Sequence, residues 1–342
     1  MPLRINPPAV PLAGALAVLA VLTAGCSSDP VDVPPPTITP ATAAASPPVT
    51  QAPDGTVRPV GADALAALVD PATRALVVLG PGPGGQSAVT ILTAAGPPRT
   101  VLTPEPASAM TGAGDGTVFL AARGGYLRVD VAAGTVDRVE VEGEADTDFT
   151  AIARRQDGRL VLGTSDGAVL TLGTDDSVAA RLEIFARVDA LVTQGDTTVV
   201  LDRGQTSVTA VDASGTAAQA LRAGEGATTM AADPQGRVLV ADTRGGELLV
   251  FGTDPLMMRQ RYPVPDAPYG LAGSPELAWV SQTAANTVIG YDLSTGIPVE
   301  KVRYRTVQQP NLLAYDDASG TLYVVSGTGA GVQVISDAAG PR

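Results

Sequence analysis

The stretch that decides the fold is ATTMAADPQGRVLVAD, residues 227–242, in which a short run closes on the turn Asp233-Pro234-Gln235-Gly236 and Arg237–Asp242 then forms a second run ending in an acid. Runs of four to seven residues, rich in Val, Leu and Thr and bounded by Gly, Pro or Asp, are strand signals. The same phrase recurs as ALAALVDPATRALVVL (64–79), ASAMTGAGDGTVFLA (107–121), FTAIARRQDGRLVLG (149–163), VDALVTQGDTTVVLD (188–202), PYGLAGSPELAWVSQ (268–282) and PNLLAYDDASGTLYVVS (310–326). One position of the second run falls in register at Leu76, Val118, Leu160, Thr198, Val238, Leu277 and Leu322, with steps of 38 to 45 residues. A period near 40 with four short strands per unit is the pattern of β-propeller blades. The count is seven.

Closure supports that count. The seventh unit carries three strand-like runs, near 312–316, 321–326 and 331–336, before the chain ends. An open propeller would expose unpaired edges. The run Gly55-Thr56-Val57-Arg58-Pro59-Val60 precedes the first full unit and is expected to supply the missing outer strand, where Pro59 is tolerated at an edge. The expected fold is therefore all-β, a seven-bladed propeller over 55–338 closed by an N-terminal strand.

Several segments carry resemblances. Pro268-Tyr269-Gly270-Leu271-Ala272 with Ala285–Asp292 and Tyr323-Val324-Val325 resembles the YVTN type of propeller repeat, and Ala232–Asp242 is similar to NHL and gluconolactonase-type blades. Arg123-Gly124-Gly125-Tyr126 and Asp148–Arg155, taken with the N-terminal segment, resemble a conserved lipoprotein of mycobacteria and their relatives. That resemblance implies a secreted, anchored propeller and brings no activity with it.

Composition removes several mechanisms. The chain of 342 residues has no His and one Cys. It therefore has no Ser-His-Asp or Cys-His catalysis, no imidazole-ligated zinc and no intramolecular disulfide. A formal net charge of −13 without a basic run argues against nucleic acid as a partner.

The N-terminus has the parts of a secretory signal: an Arg near the start, an apolar run from Leu12 to Ala24, and small residues leading to Cys26. Thirteen residues are too few to span a bilayer. The only Cys ends Leu22-Thr23-Ala24-Gly25-Cys26, which resembles a bacterial lipobox, departing from its commonest form at Thr23. Residues 1–25 are thus expected to be a signal peptide and Cys26 the lipidated residue, placing the protein on the extracytoplasmic face of the cell membrane, its membrane partner. Residues 26–54, rich in Pro, Thr and Ala, have no hydrophobic period and are expected to form a disordered tether.

Propellers bind at the face where loops leading into the first strands meet loops between second and third strands. With the inner strands aligned on Leu68, Met110, Ile152, Leu191, Met230, Leu271 and Leu313, carboxylates precede six of them: Asp63, Glu105, Asp148, Asp189, Glu225 and Asp266. Arg123, Arg203 and Arg244 stand in the second-to-third-strand loops, and Gln308, Gln309 and Asn311 replace the acid in the seventh unit. Such a ring suits Ca²⁺ or another divalent cation, or a basic or polyhydroxylated partner; the alternative is solvated turn charge. Gly80–Gly85 and Gly327–Gly331 read as hairpin loops, Trp279 as core, and Arg154-Arg155 as a solvated turn on the opposite face. The expected function is a non-catalytic binding or assembly scaffold with a protein or other envelope partner. The alternative is a metal-dependent lactonase or hydrolase of gluconolactonase-like type using the acidic mouth.

Overall fold

The computed structural model describes Leu3 and residues 36–61 and 63–340. Leu3 apart, these residues belong to one compact unit, Pro35–Arg342. Cys26, the signal and the first part of the expected tether lie outside the described residues. No helix among the described residues is long and apolar enough to cross a membrane.

The described strands form seven four-stranded antiparallel sheets, each built from consecutive strands except the last. Blades 1 to 6 span 66–102, 107–140, 149–183, 190–222, 227–263 and 268–305, and blade 7 spans 310–335 with the outer strand Thr56–Arg58. The expected seven-bladed architecture is the one observed. Thr56, Val57 and Arg58 pair with Val334, Gln333 and Val332, so the N-terminal strand closes the ring as the strand arithmetic requires. Gly55 sits with φ of +75° against the carbonyl of Val334, where a Cβ would lie 2.3 Å from its oxygen; only glycine lets the chain turn into this pairing.

Second and third strands are buried on both faces, as in Leu160–Thr164 and Ala168–Leu172, because each blade is sandwiched between its neighbours. Their sequences are accordingly continuous apolar runs. Fourth strands alternate partly buried and exposed positions, as in Val178–Glu183, because one face meets water. The core consists of the seams between blades: Val77 and Leu79 of blade 1 pack in one cluster with Leu120 and Leu127 of blade 2. Each fully buried Leu or Val contributes about 1.5–3 kcal/mol relative to exposure. Trp279 is fully buried in blade 6, stacked 5.9 Å from Tyr315 and 6.5 Å from Tyr304, and its indole N–H donates to Ser274 Oγ at 3.2 Å.

Pro83–Gly85 and Gly327–Gly331 lie in hairpin connections, as expected, whereas Gly80 and Pro81 end the second strand of blade 1. The reading of Arg155 as solvated is corrected. It is 3% exposed, donates from Nη1 to the carbonyl of Ala213 at 2.9 Å, and pairs through Nη2 with Asp157 at 2.9 Å. The turn carrying it packs against blade 4, a neighbour that local sequence does not reveal.

Candidate functional site

The loops expected to meet at the mouth do meet. Main-chain bonds join Ser165 N to Asp148 O at 3.0 Å, Ala284 N to Asp266 O at 3.1 Å and Gly327 N to Gln309 O at 2.8 Å, tying the lead-in loop of a blade to its second-to-third-strand loop. The last residue of the second strand reinforces this tie. Fully buried Asp202 accepts from the N–H groups of Ala186, Arg187 and Gln205, and Asp242 from those of Glu225, Gly226 and Gly245. In blade 6 the same place holds Gln282, which donates to Pro265 O at 2.8 Å, and in blade 7 Ser326, which donates to Gln308 O at 2.7 Å. The acids that organise the mouth thus close the second strand, at the ends of the recurring VVLD and LVAD.

The six expected carboxylates stand near the lead-in loops without forming one ligand set. Glu105 pairs with Arg138 at 2.5 Å, and Asp148 with Arg123 at 3.5 Å. Asp189 accepts the N–H of Arg203 at 2.8 Å and faces Arg187 at 3.3 Å; burial pushes its carboxyl above the ordinary value against those bonds. Asp63, Glu225 and Asp266 are exposed. Among the described residues, no three His, Cys, Asp or Glu form a group able to hold a metal ion. Arg138 and Arg187 are the counter-charges that the sequence pattern missed, because they come from the fourth strand of blade 2 and from a loop position outside the alignment.

Below the mouth the inner strands line a channel of about 380 Å³. Its lining includes Met110, Ile152, Leu191, Met230, Leu271 and Leu313, six of the seven inner-strand anchors. Blades 2, 3, 5, 6 and 7 each carry a register shift at the top of the inner strand, between Ala107 and Ala109, Phe149 and Ala151, Ala227 and Thr229, Pro268 and Leu271, and Pro310 and Leu312. A bulge re-aims the extra residue. Ser108, Thr150, Thr228 and Asn311 are thereby turned to the channel. Ser108 Oγ donates to Phe149 O at 2.6 Å and Thr150 Oγ1 to Val188 O at 2.5 Å, each reaching the next blade. The sequence signal for these residues was a small polar residue second in the inner strand.

The most extensive recognition at this face is of the chain's own residues 37–47, TITPATAAASP. This strap is extended, without regular secondary structure; Ile38–Ala41 meet blades 4 and 5, Ala44 meets blade 7, and Ser46 and Pro47 reach blade 6. Ile38 N–H donates to Gly204 O at 2.8 Å. Arg244 Nη2 donates to Thr39 O at 2.7 Å, Arg203 Nη2 to Ala41 O, Gln309 Nε2 to Ala44 O at 2.9 Å, Gln308 Nε2 to Ser46 O at 3.3 Å, and Asn286 Nδ2 to Pro47 O at 2.7 Å. Ser46 is read on three sides: its N–H donates to Gln309 Oε1 at 3.0 Å, its Oγ donates to Thr283 O at 2.6 Å, and Oγ accepts from Gln309 N at 3.0 Å. Ala41 is buried, with Gly226 beneath it; a Cβ at Gly226 would lie 3.0 Å from that of Ala41 and 2.7 Å from that of Arg244. Gln309 and Asn286 hold left-handed backbones, φ +56° and +50°, and Asn286 Oδ1 is buried without a partner. Beyond the strap, Arg305 binds Asp54 and Gln51, and its guanidinium holds the Asp54 carboxyl below the ordinary value. Composition assigned this stretch to a disordered tether. The difference arises because the rim binds main-chain carbonyls, which need no apolar pattern.

No protein-family model and no curated protein matches the chain. Solved structures share its fold. A chain of the mitotic checkpoint complex aligns with TM-score 0.69 and 12% identity, over 88% of this chain and 99% of that one. Streptogramin B lyase aligns with TM-score 0.66 and 9% identity, over 83% and 97%. A chain of Kuenenia stuttgartiensis hydrazine synthase aligns with TM-score 0.64 and 14% identity, over 83% and 98%. At these identities the likeness establishes the fold alone: the chain is a seven-bladed β-propeller.

Proposed function

We propose that the protein is an extracytoplasmic lipoprotein, anchored to the cell membrane through lipid on Cys26, whose propeller is a non-catalytic scaffold that holds another protein. The observation carrying the binding role is the rim itself, where side-chain amides and guanidinium groups from blades 4 to 7 are spent on the carbonyls of an extended polypeptide. Donors directed at main-chain carbonyls serve recognition, and a chain without His has few routes to acid-base chemistry. The anchor rests on the apolar run ending in the only Cys. Two or three acyl chains there would supply stable attachment, at roughly 0.8 kcal/mol per buried CH₂.

The test is crosslinking in intact cells from a photoreactive residue at Arg187, half-exposed on the rim, with one at Asp317 on the opposite face as control. Protein adducts from the rim and not from the control are expected, and no adduct from the rim would remove the scaffold role. In parallel, Cys26→Ala should release the protein from membranes washed at high salt. Retention would overturn the anchor.

A further inference from the structure

We propose that the rim of blades 4 to 7 is a polypeptide-binding site that residues 37–47 occupy in cis, and that its partner is an extended, proline-containing segment with a small residue five positions before a Ser-Pro pair. The proposal rests on the scaffold reading and names the partner class that such a scaffold would hold.

Three features define the ligand. The donors from Arg244, Arg203, Gln309, Gln308 and Asn286 all end on main-chain carbonyls, so they select an extended backbone rather than a particular side chain. Ala41 is the buried residue of the strap and its Cβ faces Gly226, so closely that a Cβ on Gly226 would lie 3.0 Å from it; that position therefore favours a small residue such as Ala, Ser or Gly. Ser46 has its N–H and hydroxyl both engaged by Gln309 and its hydroxyl by Thr283, which selects a hydroxyl residue there. Pro40 and Pro47 favour the extended conformation before binding and reduce the entropy lost on docking.

The strap is suited to exchange. Of residues 37–47 only Ala41 is buried, so docking rests on hydrogen bonds, each worth about 1 kcal/mol net. Arg305, with Asp54 and Gln51, pins the chain just beyond the strap. A segment held at one end acts at an effective concentration in the millimolar range. A partner must therefore compete with the strap, which sets a threshold on binding without closing the site.

The experiment cuts the strap free after folding. A protease site replaces Pro48-Val49-Thr50 in the full chain, the folded protein is cleaved there, and a fluorescein-labelled peptide of residues 37–48 is added while anisotropy is read. The labelled peptide should enter the cleaved protein and bind the uncut protein at least about tenfold more weakly, because the intact strap competes. In the cleaved protein, Gln309→Ala or a peptide carrying Ser46→Ala should weaken entry about tenfold or more. Failure of the peptide to enter after cleavage, whether the released fragment stays or leaves, overturns the proposal. So does equal binding to cut and uncut protein, or entry indifferent to Gln309, since either places the peptide elsewhere. If peptide entry fails while the Arg187 crosslinks persist, this proposal falls and the scaffold reading stands. If entry succeeds and crosslinks are absent, the site stands and the scaffold role falls.

Discussion

Replacing Gln309 with Ala isolates what holds the strap. Its side chain accepts from Ser46 N–H at 3.0 Å and donates to Ala44 O at 2.9 Å and Asn311 Oδ1 at 3.0 Å, so truncation removes two bonds to the strap and one within blade 7. Ser46 is half-buried, and water can replace the lost partner. The cost should stay near the net value of two hydrogen bonds, about 2 kcal/mol. At 1.4 kcal/mol per factor of ten, the population of the undocked strap rises about 30-fold.

Amide hydrogen exchange reads this directly. The Ser46 amide should exchange about 30-fold faster in Gln309→Ala. The Asp54 amide, which donates to Arg305 O beyond the strap, should not change. A second variant separates docking from backbone strain. Gln309→Gly loses the same side-chain bonds but relieves a left-handed residue, φ +56°, worth about 1 kcal/mol. It should therefore match the Ala variant in Ser46 exchange while melting about 2 °C higher. A Ser46 amide that exchanges at the unprotected rate in the parent protein would refute the docked strap, and a rate unmoved by Gln309→Ala would refute the assignment of its anchor.

Deleting Gly55–Val60 removes three paired residues and the Arg58 bonds to Thr93 O and Gly96 O, and should lower the melting temperature by about 6 °C, from about 3 kcal/mol of lost pairing. Deleting 36–48 removes the strap but no strand pair, so the amides of Val332–Ile335 that face Thr56–Arg58 should keep their hydrogen-exchange protection in that variant and lose it in the Gly55–Val60 deletion; equal protection in the two would reject closure by this strand. Trp279→Ala should cost about 3–5 kcal/mol in denaturant unfolding, through the cavity and the lost indole bond to Ser274 Oγ; a cost below about 1 kcal/mol would mean the Tyr304 and Tyr315 stack is not the packed core of blade 6. Asp54 has a carboxyl held below its ordinary value of 3.8 by Arg305, so their pairing contributes fully above that value and is lost as pH falls through the lowered one. Protection of the Asp54 amide should fall in that acid range and become pH-independent there in Asp54→Asn; an unchanged profile in the variant would exclude the ion pair as the cause.

The blades were legible because their determinants are local. Every second and third strand must be apolar on both faces to be sandwiched between neighbours, and that requirement is written as runs such as VVLD and VLVAD near every fortieth residue. Ring closure followed from counting strands, since a seventh blade with three strands needs a fourth and Gly55–Val60 was the only nearby run without a place. Trp279 read as core for the same reason. Arg155 did not, because Ala213, whose carbonyl it binds, meets it only after blade 4 packs on the turn. The acidic mouth was half legible: spacing located the carboxylates, but not Arg138 or Arg187 opposite them.

What the sequence determined by itself is the element pattern: a repeat of buried strands, seven of them deep, and an edge strand to close it. What only the tertiary structure decided is the use of the rim. Residues 37–47 carry no apolar period and read as solvated chain, yet their partners Arg203, Arg244, Asn286 and Gln309 lie about 160 to 265 residues away in sequence and converge only when blades 4 to 7 are in place. Main-chain carbonyls are present at every residue, so a segment bound through them leaves no mark in composition; the donors that choose it are positioned by the ring.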